Sequence, residues 1–498
     1  MRACGVLLPI FSLPSKYGIG CCSKEAYDFV DFLKKAGQKY WQILPIGPTG
    51  YGDSPYQSFS TFAMNPYFID VDKLAMKGWL TENECNEYSA DNGEWIHYIK
   101  YEKLYYQRYK LLRIAYERSN INTDSQFADW TLQNAYWLDD YALYMAVKAY
   151  FANKAFYEWD DDIRLRKPEA VELYRNKLCD EVCFYKFMQY VAYMQWMDLK
   201  AYATENGIEI IGDIPIYVAK DSADVWANPE LFDLDEDNVP TAVAGCPPDY
   251  FAATGQLWGN PLYKWDYHKK TGYEWWVQRV SHCYDLYDVV RIDHFRGFDE
   301  YYAIPYGDKT AEFGEWRKGP SNEIFDVMRD RLGERKIIAE DLGMLTDSVR
   351  ELVKTTGYPG MKVLLFAFDS DSKCEYLPHN LCTNSTVYTG THDNETVRGW
   401  YKRISEEGAY SKKFFDDYTG TACEEDAASK AILAVMTSIS DTAIIPIQDY
   451  LNLDNSARIN TPSTLGNNWS WRLGPDDLTD ALAERMRRLA EISGRCHN

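Results

Sequence analysis

Several short apolar runs in this chain end in side chains able to move protons. Asp213 closes "IEIIGDIPI". In "DVVRIDHF", Asp293 follows Arg291 by two residues and precedes His294. "KIIAEDLG" carries Glu340 and Asp341 side by side, and "STVYTGTHD" ends in His392 and Asp393. Carboxylates are seldom buried without partners. Any one of them could cap a following helix, but four such tips around one rim are better explained by shared chemistry. Alternate residues of a strand share a face, so Arg291 and Asp293 point the same way. A guanidinium favours the ionised form of a neighbouring carboxylate, so Asp293 is expected to have a depressed pKa. That suits a nucleophile or an electrostatic stabiliser, and equally a structural ion pair. Pattern alone does not choose between Glu340 and Asp341.

Of the seven histidines, His294 and His392 adjoin these acids, which favours ligand binding. No His-x-His or HExxH arrangement occurs, and no catalytic metal or other cofactor is expected. Cleaving a glycosidic bond needs one carboxylic acid to protonate the leaving oxygen and a second carboxylate to attack or stabilise the anomeric carbon. The abundance of 40 Tyr, 21 Phe and 16 Trp serves mainly a large core. Exposed Tyr and Trp faces would also suit sugar rings.

The elements that must hold these groups recur along the chain. Eight apolar runs read as strands: 5–10, 40–48, 208–216, 288–295, 336–343, 361–369, 385–393 and 442–450. Helical spacing lies between several of them, as in "SKEAYDFVDFLKKAG" and in "LTDSVRELVKTTG", which opens on a Thr346 cap and closes at Gly357. Strand–helix alternation with near-continuous apolar strands predicts a parallel sheet, and eight strands predict a closed (β/α)8 TIM barrel with catalytic groups at the C-terminal strand ends. One barrel is expected to span 1–498. A mostly helical subdomain is expected within 60–205, and 217–284 reads as an insertion after strand three, weak in periodicity, with a structured loop at 245–260.

With 53 basic and 75 acidic residues the net charge is −22. That disfavours nucleic acid and anionic membranes as partners and suits a neutral ligand. The twelve scattered cysteines form no CxxC or zinc pattern. There is no signal-peptide core or long apolar span, so a cytoplasmic protein with free thiols is expected.

Longer motifs carry a resemblance. "SLPSKYGIG", "PTGYGDSPYQSFSTFAMNPYFID", "GDIPIYVAKDSADVWANPELF", "AGCPPDYFAATGQLWGNPLYKW", "RIDHFRGF", "AEDLG", "GYPGMKVLLFAF", "THDNETVRGWY" and "RINTPSTLGNNWSWR" together span nearly the whole chain. On these the sequence resembles the 4-α-glucanotransferases (amylomaltases, disproportionating enzymes) of glycoside hydrolase family 77 in the α-amylase superfamily. The resemblance implies transfer of α-1,4-glucan segments to the 4-OH of an acceptor glucan or glucose, with retention, through a covalent glycosyl-enzyme. An α-1,4-glucan hydrolase of the same superfamily is the alternative. It implies Asp293 as nucleophile with Arg291 its partner, Glu340 as general acid/base, and Asp393 as transition-state stabiliser beside His392. Tyr56, Asp213 and His294 would line the same subsite. Tyr250, Phe251 and Trp258 would contact the glucan from the 245–260 loop, and Tyr51 would belong to a secondary glucan site. Expected partners are α-1,4-glucans and maltooligosaccharides, bound by a monomer or homodimer. The chain departs from the family pattern at Cys21–Cys22 and at Ser463, where glycine is expected in a second loop near the acceptor side.

Overall fold

A computed structural model of the 498-residue chain describes residues 2–50, 52–87, 95–248, 253–343 and 345–496. The strands among them are β1 (Ala3–Leu7), β2 (Tyr40–Gln42), β3 (Glu209–Pro215), β4 (Ala242–Cys246), β5 (Gln256–Pro261), β6 (Val289–Asp293), β7 (Glu300–Pro305), β8 (Glu315–Lys318), β9 (Ile337–Ala339), β10 (Gly360–Val363), β11 (Ser385–Tyr388) and β12 (Thr442–Pro446). Eight of them close a barrel in the order β1-β12-β11-β10-β9-β6-β3-β2. Every barrel pairing is parallel. The eight strands expected from the apolar runs are these eight, each shorter than its run. β2 stops at Gln42 because Pro45 and Pro48 lack the amide a ladder needs. β10 gives way to a 3-10 turn at Leu364–Phe366.

Helices cover the outside. The helix Lys24–Lys35 turns Ala26, Phe29, Val30, Phe32 and Leu33 inward. The helix Asp347–Thr356 opens where Thr346 Oγ1 accepts the Val349 N–H and closes at Gly357, whose φ of 72° is left-handed.

Between β2 and β3 run the long helices Tyr101–Ser119, Ala135–Tyr150 and Cys179–Glu205. Two buried glutamines of the last fix the segment that follows β2. Gln189 takes the Met64 N–H at 2.7 Å and gives its own amide to the Met64 carbonyl at 2.8 Å. Gln195 does the same for Asp70, at 2.7 and 3.1 Å. Each side chain thus replaces a strand neighbour for backbone groups that could not be left unpaired in the core.

The segment 217–284 carries regular elements that its weak periodicity does not reveal. β4 and β5 form an antiparallel pair there, joined to β7 and β8 from after β6 in a sheet of order β5-β4-β7-β8. β5 is largely half-exposed, and β4 ends in Gly245 and Cys246, so neither shows the apolar alternation of a half-buried strand.

Gly212 of β3 lies in register with Val290 of β6, and a Cβ there would stand 2.2 Å from the Tyr287 ring. Gly212→Ala is expected to lower stability by about 1–3 kcal/mol, as overpacking of a fixed ring does. An unchanged midpoint in thermal or denaturant unfolding would show that the ring yields freely.

Candidate active site

The β3–β6 register sets Asp213 beside Arg291 and Pro215 beside Asp293. With Gly212 facing the Tyr287 ring outside the barrel, alternation turns Asp213, Arg291 and Asp293 to its axis. Arg291 is 3% exposed. Its Nη1 donates to both oxygens of Asp213, at 2.7 and 2.6 Å, and its Nη2 to Asp293 Oδ1 at 2.8 Å. Tyr56, from the segment after β2, donates its hydroxyl to Asp213 Oδ2 at 2.7 Å. One buried cation therefore holds two carboxylates, and a phenol shares the deeper one.

Glu340 follows β9. Its carboxylate takes the N–H of His294 on Oε2 at 2.7 Å and that of Leu342 on Oε1 at 2.9 Å. Its carbonyl takes the Phe295 N–H at 3.0 Å. His294 sits in the left-handed region at φ 51°, which turns successive N–H groups toward Glu340. Asp341 points elsewhere. It accepts the Met361 N–H at 2.7 Å and faces Lys362 at 3.7 Å. The ambiguity of "AED" ends in geometry: Glu340 lines the cleft, and Asp341 braces the barrel wall.

Asp393 pairs with His392 Nε2 at 3.3 Å and accepts the Asn460 amide at 2.6 Å. Arg458 donates to the Asp393 carbonyl at 2.6 Å. The His392 ring stacks on Tyr56 at 5.1 Å and 18°, and Trp469 packs beside both rings. Across the cleft, Trp258 meets His294 edge to face at 4.8 Å and 87°.

These side chains border one open cleft of about 1090 Å³. It brings together Tyr56, Arg291, Asp293, His294, Glu340, His392, Asp393 and Trp258. Asp213 lies beneath it, closed off by Arg291 and Tyr56. Tyr51, Tyr250 and Phe251 lie outside the described residues. Asn460, Arg458 and Trp469 were not singled out by sequence. All three lie in the motif "RINTPSTLGNNWSWR" after β12, of which only Ser463 was picked out. Ser463 in that run has φ 62°, the conformation its expected glycine would adopt without strain.

Electrostatics divide the acids. Burial raises Glu340 to about 7, and the Asp293 charge adds to it against Arg291 and two backbone donors. Burial also raises Asp393, but His392 and Asn460 outweigh it and bring it to about 2. His392 loses basicity to burial and regains more from Asp393, for a net rise. Burial, aided by Arg296, lowers His294 to about 3, so its imidazole is neutral. Asp293 departs from expectation. Arg291 does favour its anion, but burial and the Asp213 and Asp393 charges leave its pKa raised, not depressed. An acid near neutrality beside a carboxylate anchored to a guanidinium is equipped for acid/base-assisted substitution at an acetal carbon.

A family model described as 4-alpha-glucanotransferase matches residues 8–478. A Clostridium butyricum protein named 4-alpha-glucanotransferase is 50% identical over 489 residues, covering 98% of this chain and 99% of its own. A Streptococcus pneumoniae protein of the same name is 48% identical over 495 residues, covering 99% and 97%. Among solved structures, an amylomaltase from Streptococcus agalactiae in complex with acarbose superposes with a TM-score of 0.95 at 39% identity, covering 100% of both chains.

Because Asp293 is the second cause of the raised Glu340 pKa, removing its charge must lower it. In Asp293→Asn the Glu340 carboxyl, followed by carbon-13 NMR, is expected to titrate below its wild-type value of about 7. An unmoved titration would show that burial alone sets it.

Proposed function

The chain belongs to the 4-alpha-glucanotransferase family, and from that membership we propose the part each cleft residue plays. The activity is movement of an α-1,4-glucan segment from a donor to the 4-OH of an acceptor glucan or glucose, by retaining double displacement. Asp293 attacks the anomeric carbon while Glu340 protonates the departing oxygen, giving a covalent glycosyl-enzyme. Glu340, now a carboxylate, takes the proton of the acceptor 4-OH, and the new glycosidic oxygen displaces Asp293 from the other side of the bond it formed. The observation that carries this is the pairing of environments on adjacent strands. Asp293 is tied to a guanidinium, and Glu340 is half-buried beside it with a pKa of about 7.

Arg291 favours the anion of Asp293 for attack and binds Asp213 behind it. Asp393 and His392 offer a carboxylate and an imidazole to sugar hydroxyls as positive charge develops on the ring. Tyr56 and neutral His294 line the same subsite. Trp258 borders the cleft and keeps water from the intermediate, so that transfer outruns hydrolysis, and Tyr250 and Phe251 of the 245–260 loop are proposed as further glucan contacts. Tyr51 belongs to a secondary glucan site. The oligomeric state we propose is a monomer or homodimer. All twelve cysteines are free thiols, which fits a cytoplasmic setting.

Maltotriose tests the reading. Wild type is expected to give glucose and a ladder of longer maltooligosaccharides, and Asp293→Asn to lose at least about a thousandfold in kcat, the scale of loss when a nucleophile acting with a partner is removed. Wild-type-like transfer by the variant would overturn the nucleophile assignment. The acid form of Glu340 is full below its pKa and lost above it. The alkaline limb of kcat/KM should therefore fall near pH 7, the pKa being about 7. Trp258→Ala is expected to lower the transfer-to-hydrolysis ratio, read as glucose and maltose released per longer product. An unchanged ratio would remove the covering role.

A further inference from the structure

The Arg291 guanidinium has one more partner. Its Nε–H points to the sulfur of Met361 at 3.2 Å, inside the barrel. Met361 is fully buried on β10. Its own backbone N–H is held by Asp341 Oδ1 at 2.7 Å. A Cβ on the neighbouring Gly360 would stand 2.5 Å from that carboxylate, so the close approach needs glycine. A continuous path results: Asp341, next to Glu340, fixes Met361; Met361 fixes the third edge of Arg291; Arg291 fixes Asp213 and Asp293.

We propose that Met361 is a positioning residue for the nucleophile, its thioether taking the Nε–H of Arg291 so that the guanidinium fork is held on Asp213 and Asp293. The inference rests on the reading of Asp293 given above. Its logic is one of charge as well as geometry. A buried N–H left bare carries the cost of its lost water, so Nε needs an acceptor. A third carboxylate there would draw on the cation that must serve Asp293. Sulfur is a weak, uncharged acceptor on a flexible chain, and it satisfies the donor without competing for the charge. Leucine fills nearly the same volume and accepts nothing, whereas glutamine has similar reach and an uncharged acceptor.

The experiment compares Met361→Leu and Met361→Gln in the full chain with maltotriose. Leu is expected to lower kcat about fivefold, the worth of one hydrogen bond, with KM unchanged. It is also expected to move the acid limb of kcat/KM to higher pH. The groups facing Asp293 are Arg291 of β6, Asp213 of β3, Tyr56, Glu340, and the His392–Asp393 pair, and only the hold on Arg291 changes in the variant. Gln is expected to restore both kcat and the limb. A Leu variant with wild-type kcat and acid limb, or a Gln variant as impaired as Leu, would overturn the proposal, the second outcome pointing to packing instead. If thermal melting shows Leu unfolded, the Gln variant decides alone: wild-type kcat supports the role and a lowered kcat removes it. The two readings fail separately, since a wrong nucleophile shows as turnover retained in Asp293→Asn, and a wrong role for Met361 as an indifferent Met361→Leu beside an inactive Asp293→Asn.

Discussion

A guanidinium placed inside a barrel is an expensive thing to bury, and the rest of this site depends on how Arg291 is accommodated. Moving a charge out of water costs far more than one hydrogen bond returns, unless opposite charges and further acceptors surround it. Here both oxygens of Asp213, one of Asp293 and the sulfur of Met361 do so. Removing either aspartate would strand a charge, so the cluster stands or falls together. The arrangement exists because β3 and β6 are adjacent in exact register, which no local sequence signal could ensure; it follows only from closing the barrel.

From that anchor the remaining acids take different protonation habits by environment alone. Glu340 and Asp393 both border the cleft beyond barrel strands, yet one lies near 7 and the other near 2. Glu340 has two backbone donors and a carboxylate for company; Asp393 has an imidazole and an amide. A neutral amide donor cannot offset a nearby negative charge, whereas a histidine that can itself take the proton can. The same side-chain chemistry is thereby split into an exchangeable acid and a permanent anion.

Much of this was legible in the sequence, for reasons that differ by level. The eight barrel strands were readable because burial on both faces leaves long apolar runs, and their tips because polar groups interrupt those runs. The small sheet of β4, β5, β7 and β8 was not. It is half-exposed, and its strands come from segments on either side of β6, so no contiguous pattern records it. Asp293 and Glu340 were named through resemblance, which also separated Glu340 from Asp341; what Asp341 does instead, holding the Met361 N–H, only the fold shows. The raised pKa of Asp293 also lay beyond local reading. Arg291 is visible two residues away, but Asp213 and Asp393 are 80 and 100 positions distant, and their charges with burial decide the sign. Asn460 and Arg458 stand in a quoted motif but were given no role, because they follow the last strand in a segment with no periodicity and meet Asp393 only when the barrel closes.

The two walls of the cleft share a device that the chemistry requires. On one side the small sheet sets Trp258 against His294; on the other the segment after β12 sets Trp469 beside His392 and Tyr56. Each wall thus hands an aromatic face to an imidazole adjoining an acid. Trp469 is itself tied to the helical insertion, since Tyr101 donates to its carbonyl at 2.7 Å. The insertion therefore reaches the site twice, through the Tyr101–Trp469 bond and through the glutamine clamps on the segment after Tyr56. A transferase needs its acceptor subsite as firmly built as its donor subsite, because the intermediate must wait for a sugar while bulk water is kept out. Rings fixed from outside the barrel give such walls a rigidity that loops standing alone would lack.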